Sequence, residues 1–375
     1  MIQKFLCPAQ SRAACRISAL LIFLLIATLP VSAQNASTQI KAEIERMQES
    51  LKNKPISNPD LPNANSIIGN ALSDSSAALA AGRVYLSLEK LAQAEDFLQG
   101  VRSVDEKAQA VKDSLPAFES EWEKASLQLT ALDKSARQRD WSHAPAGVRA
   151  ISEAAQGRTM PLLEGGRGFA SATKPRDGLF YMGEAQGEAA FATFVSRLNL
   201  QRKATGIPLR SVLPELVALQ EKTNAAFQPP RSIDMHPRFI ALNSTIKFAR
   251  ELDSSRSYAG ALYQYLEAVR HYGMLNPVVP DAAKQTALRS AVTDELKKAD
   301  AARRDDSIAR IFLERAYEWL TKTDDAAPSD DEWRAVRTIV EEVLPAYEAA
   351  LKPAAPVQQH AGRTATLTLV RWPYT

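Results

Sequence analysis

The chain has 375 residues, with 46 Lys plus Arg against 43 Asp plus Glu, and four histidines. Three of the basic residues (Lys4, Arg12, Arg16) and both cysteines (Cys7, Cys15) fall within positions 1–33. Without that stretch the chain is formally neutral and cysteine-free. That excludes disulfides, thiolate chemistry, a cysteine metal site and the clustered basic face of a nucleic-acid binder.

Positions 1–33 have the three parts of a secretory signal peptide. The three basic residues precede an apolar run over 17–29, Pro30 breaks the run, and Val31-Ser32-Ala33 offers a small-residue cleavage site. The run is short of the roughly 20 apolar residues a membrane span needs. The expectation is an exported protein, periplasmic or secreted, cleaved near Ala33 and with no membrane span afterwards.

From residue 34 onward the composition is that of helices, rich in Ala, Leu, Glu, Gln, Lys and Arg and punctuated by proline clusters. Apolar residues recurring every three or four positions predict helices over 37–53, 64–86, 88–113, 116–138, 146–157, 176–200, 209–226, 238–254, 257–273, 281–302, 305–322 and 330–351. Ser329 followed by Glu332 predicts a capping box, and Asp330 and Asp331 suit a helix N-terminus. This reading absorbs the acidic cluster of Asp324, Asp325, Asp330, Asp331 and Glu332, which lacks the spacing of a calcium loop. Gly157, Gly165, Gly166, Gly168 and Gly178, with Pro161 and Pro175, predict an irregular connection. The organisation expected is therefore a signal peptide (1–33), an N-terminal helical region (34–157), a Gly/Pro-rich connection (158–178), a C-terminal helical region (179–352), and a linker with a terminal strand (353–375). In that strand Thr364, Thr366 and Thr368 alternate with Ala365, Leu367 and Leu369 up to Trp372. A lone strand needs a partner for its backbone groups, so Thr366, Leu367, Leu369 and Trp372 are candidate docking residues.

Two windows resemble tetratricopeptide-type helical repeats. One holds Gly82 and Tyr85, then Ala94, Leu98 and Val101; the other holds Phe248, Ala249 and Leu252, then Tyr258, Ala261, Tyr265 and Ala268. Both depart from the family pattern: Ala78 and Thr245 stand where a bulky residue is usual, and Glu106 and Gly273 stand where the closing proline is usual. The fold class expected is all-α, antiparallel helix pairs in a tetratricopeptide-like array or an irregular bundle, with one short C-terminal strand. The resemblance implies a groove for a peptide or protein partner, lined by Ser76, Leu79 and Arg83 from one window and by Asn243, Ile246, Lys247 and Arg250 from the other. Arg83 and Arg250 fall at matching places and are candidates to grip a carboxylate. Tyr258 and Tyr265, at helical spacing, read as core.

Catalytic signals are weak. His143, His236, His271 and His360 are far apart, and no cofactor motif is present. Gly165-Gly166-Arg167-Gly168 lacks the Lys-Ser/Thr of a phosphate loop. Glu119-Ser120 is similar to the Glu-Ser pair of lytic transglycosylases, but Glu121-Trp122-Glu123 continues a plain amphipathic helix. The expectation is a non-enzymatic scaffold or binding protein without cofactor or metal. The alternatives are a structural component of an envelope assembly docked by its terminal strand and, third, an unrecognised cell-wall hydrolase.

Overall fold

A computed structural model describes residues 36–353, apart from 60, 199, 201–204, 229–232 and 322–326. The expected signal peptide and terminal strand, including Thr366, Leu367, Leu369 and Trp372, lie outside the described residues. Twelve helices and no strand are present among those described. In chain order they are α1 (Ala36–Asn53), α2 (Ala64–Ala80), α3 (Val84–Val111), α4 (Leu115–Arg137), α5 (Ala146–Ala172) and α6 (Gly178–Ser196). There follow α7 (Leu213–Ala226), α8 (His236–Ser254), α9 (Tyr258–Gly273), α10 (Ala282–Ala301) and α11 (Ser307–Leu320). The last, α12, runs over Asp330–Thr338, widens into a π-turn at Ile339–Val343, and resumes over Leu344–Ala350. The π-turn ends where Pro345 can donate no N–H and would crowd the carbonyl of Glu341. No described helix is long and apolar enough to cross a membrane.

Helix α5 is the hub. It packs along α6 and also meets α4, α8, α9 and α11, while α3 packs against both α2 and α6. One apolar cluster runs from Ile40 of α1 to Tyr347 of α12. A smaller one, around Phe118, Leu163, Leu179 and Met182, fastens α4 over α5 and α6. The α3–α6 crossing is backbone to backbone. A methyl group on Gly183 would collide with the Gln99 carbonyl and lie 2.7 Å from the Gly100 Cα.

The Gly/Pro-rich segment is helix, not an irregular connection, as far as Ala172. Its glycines were misleading because some answer to neighbours rather than to turns. A Cβ on Gly157 would lie 2.6 Å from Leu252 Cδ2, and one on Gly166 2.9 Å from the Gly178 carbonyl. Close packing outweighs the cost of Pro161 inside the helix. The capping box at Ser329 is present: its hydroxyl accepts from the Glu332 N–H at 3.3 Å and its N–H donates to the Glu332 carboxylate at 2.8 Å.

Several other helices start inside the protein with their N–H groups capped by acids from elsewhere. The Tyr85 and Leu86 N–H groups of α3 donate to Glu314 Oε2 at 2.9 and 3.0 Å. Ala146 N–H of α5 donates to Asp305 Oδ2 at 2.6 Å. Val212, just before α7, donates to Asp253 Oδ1, and Gly260 of α9 to Glu153 Oε2, both at 2.8 Å.

The helix expected over 64–86 breaks at Ala81–Arg83, and Gly82 takes φ +74°. Gly82 N–H bonds the Leu79 carbonyl and Arg83 N–H the Ala78 carbonyl, a Schellman turn. The α8–α9 turn repeats it: Arg256 N–H bonds Asp253, and Ser257 N–H bonds Leu252. Arg256 takes φ +62° there, which costs a non-glycine residue about 1–2 kcal/mol. Gly82 therefore serves a turn, and nothing lies within 4 Å of a Cβ built on it. Matching the turns pairs Arg83 with Ser257, so Arg83 and Arg250 are not at equivalent positions.

Two kinds of glycine substitution should separate in urea denaturation. Gly183→Ala should lower stability by about 1–3 kcal/mol through overpacking. Gly165→Ala and Gly168→Ala, on the open face of α5, should each raise it by about 0.4–1 kcal/mol. Destabilisation by the latter two would return this segment to the irregular connection its composition suggested.

Candidate functional site

The proposed groove residues do not line one surface. Ser76 is exposed on α2, Leu79 packs against the core, and Arg83 sits in the α2–α3 turn, 5.7 Å from the Tyr317 ring centre. On α8, Ile246 is fully buried and Lys247 lies 3.9 Å from Glu251. Asn243 accepts from Gln220 at 2.8 Å, and Arg250 is half-buried. Tyr265 is core as expected, whereas Tyr258 is half-buried. Glu119 faces Arg167, whose guanidinium also stacks 4.4 Å above Trp122. Lys124, hydrogen-bonded to Glu121, with Lys107 nearby, holds the Glu121 carboxyl below its usual range, opposite to what a general acid needs.

Two other places gather side chains. The first is a charged cavity of about 440 Å³, walled by α3, α5, α6, α9 and α11. Arg315 donates to Glu267 Oε1 at 2.6 Å, to Glu89 Oε2 at 3.1 Å and to the Tyr263 hydroxyl at 3.2 Å. Tyr263 in turn donates to Glu89 Oε1 at 3.1 Å, and Arg270 to Glu267 Oε2 at 2.8 Å. Burial would raise the Glu267 carboxyl, but Arg315 and Arg270 prevail and hold it well below its usual range. The Tyr263 phenol is pushed up by burial and by the Glu89 and Glu267 carboxylates.

Across the cavity Arg158 grips both oxygens of Glu188, with Nη2 to Oε2 at 2.9 Å. Asp96 lies beside this pair, with Oδ1 buried and without a hydrogen-bond partner among the described residues. Burial, reinforced by the Glu188 carboxylate, pushes its carboxyl up to about 9. At neutral pH Asp96 is therefore protonated, and the three arginines Arg158, Arg270 and Arg315 balance the carboxylates Glu89, Glu188 and Glu267. The sequence alone singles out none of these acids and arginines. The overlooked signal is charge inside apolar runs, as in Ile311-Phe312-Leu313-Glu314-Arg315-Ala316 and Leu266-Glu267-Ala268-Val269.

The second place is an aromatic cleft of about 690 Å³ between residues 57–59 and 61, α3, the end of α5 and the start of α6. Phe97 and Phe180 meet edge to face at 5.8 Å, Phe180 and Tyr181 at 6.0 Å, and Tyr181 and Phe169 at 5.3 Å. Leu61, Val104 and Ala108 complete the apolar wall, and Asp105, Arg176 and Asp177 supply charge. Phe169 is 41 % exposed, which leaves an aromatic ring partly in water at the cleft.

The Asp96 carboxyl makes stability depend on pH. Its folded value lies above the unfolded one, so the folded state keeps a proton that the unfolded state releases above about pH 4. Stability therefore falls as pH rises from about 4 through about 9. Asp96→Asn should abolish much of that fall, so that its urea midpoint exceeds the parent's by a margin that grows from pH 5 to pH 9. A margin that is constant across pH would place the parent's proton elsewhere. Compared with known proteins, the chain matches no family model, no curated protein and no solved structure.

Proposed function

We propose that this chain is an exported, non-enzymatic binding protein that holds a peptide or protein partner in the aromatic cleft. The observation that carries this reading is the run of Phe169, Tyr181, Phe180 and Phe97 along one concavity, Phe169 exposed and the other three half-buried. Clefts lined by rigid aromatic rings, with a few polar groups at hand, take the apolar anchor of a ligand. The occupant proposed is a peptide segment with an aromatic or large aliphatic anchor, flanked by charge that meets Arg176, Asp177 and Asp105. Export rests on the signal-like leader of the sequence. The likeness to tetratricopeptide-type repeats supports a recognition role at the level of the hairpins α2–α3 and α8–α9, with the groove moved from their surfaces to the cleft.

Displayed random peptides selected on the chain from residue 34 to 375 test this reading directly. Selected peptides should share an aromatic or large aliphatic position. Their affinity, measured by fluorescence anisotropy, should fall at least about tenfold with Phe169→Ser, a loss of about 1.4 kcal/mol or more. Arg83→Glu combined with Arg250→Glu should leave binding unchanged. The opposite pattern would restore the groove inferred from the repeat resemblance, and selection of no peptide above background would remove the reading.

A further inference from the structure

A third concavity, of about 660 Å³, opens where the end of α4 and the 139–142 turn face α5 and the α8–α9 turn. It shares no lining residue with the aromatic cleft. Its hydrogen-bonding inventory is lopsided. Each acid on its wall is already engaged. Glu153 accepts from Arg149 Nε at 2.6 Å and from the Gly260 N–H at 2.8 Å. Asp140 accepts from the Ser142 N–H and hydroxyl at 2.8 and 2.9 Å, and Asp133 accepts from Gln156 at 3.3 Å.

The donors are not used up. Arg139 reaches only the Ser196 hydroxyl, stacks 5.3 Å from the Trp141 ring centre, and has no carboxylate partner among the described residues. Burial and the nearby Arg197 charge push the Arg139 guanidinium below its usual value, the mark of a cation lacking compensation. Arg256 makes no side-chain hydrogen bond or ion pair among the described residues, and it stands in the left-handed conformation where the matching turn has Gly82. A strained arginine where glycine costs less is an outlier that calls for a functional explanation. Ile207, Leu209 and Leu252 give the concavity an apolar side beside these donors.

We propose that this concavity binds a small organic oxyanion, its carboxylate or phosphate held by Arg139 and Arg256 and its apolar body lying against Leu209 and Trp141. Guanidinium groups with free, forked N–H donors suit either anion, and a ligand that brings only acceptors completes an inventory that lacks them. The site is independent of the peptide reading of the aromatic cleft, and either can fail without the other.

Titration calorimetry with benzoate, phenyl phosphate, inorganic phosphate and the neutral benzamide tests the proposal on the chain from residue 34 to 375. Benzoate or phenyl phosphate should bind saturably, and benzamide should bind at least tenfold more weakly. Whichever of the two organic probes is tighter identifies the anion, and weaker binding of inorganic phosphate shows that the apolar body contributes. Arg256→Gly is the informative variant because it removes the guanidinium while relieving the backbone. It should melt at or above the parent's temperature yet bind at least tenfold more weakly, and Arg139→Gln should weaken binding similarly. Undiminished binding in both variants, equal binding of benzamide, or no saturable binding of any anionic probe at 10 mM would each overturn the proposal.

Discussion

The constraint on which the rest of the structure depends is the burial of helix N-termini. The first N–H groups of a helix have no partner within it, and inside a protein each unpaired group costs about 1–3 kcal/mol. Helices α3, α5 and α9 start against other helices, and their caps come from Glu314, Asp305 and Glu153. A carboxylate there also meets the positive end of the helix dipole. Burial raises the Glu314 carboxyl, and Arg310 and the two N–H groups it accepts from offset only part of that rise. Because each cap lies far along the chain from the N–H it serves, each bond fixes the relative position of two helices as well as ending one. Those same three helices carry most of the charged cavity, so the caps set where its walls stand.

How much of this could be read from the sequence follows from the range of each interaction. Helix α8 was expected over 238–254 and runs over His236–Ser254, and the Ser329 capping box is present, because both depend on residues within a few positions of one another. The segment after Gly157 was misread because glycine has two uses. A composition rule sees a turn former, whereas Gly157 and Gly166 admit Leu252 and the Gly178 backbone, which no local pattern contains. The break at Gly82 was missed for the converse reason: the apolar period continues across a turn that only its positive φ reveals. That slip shifted the register of the repeat comparison and paired Arg83 with Arg250.

The candidate sites were the least legible part. Glu89, Glu188, Glu267, Arg158 and Arg315 are unremarkable in sequence, since charged residues at helical spacing usually face water. Packing α3 against α6, and both α9 and α11 against α5, turns them inward together. In isolation such ion networks add little stability, because desolvation offsets attraction, but removing one member leaves its partner's charge buried. The network therefore enforces one arrangement of its helices more than it strengthens them. Asp96, left protonated beside Glu188, is the point at which the balance of charge is closest to changing.

The charged cavity and the aromatic cleft are two ends of one helix crossing. Along α3, Glu89 and Asp96 line the cavity, then Phe97, Val104 and Ala108 line the cleft. Along α6, Phe180 and Tyr181 line the cleft, then Glu188 and Phe191 line the cavity. Between the two ends the backbones touch at Gly100 and Gly183, while a Cβ on Gly187 would lie 2.9 Å from the Asp96 Cα. A Cβ on Gly100 would lie 2.8 Å from the Phe180 ring, so the aromatic wall stands where it does because that side chain is absent. Widening the crossing would move Phe180 relative to Phe97 and Glu188 relative to Asp96 in a single displacement.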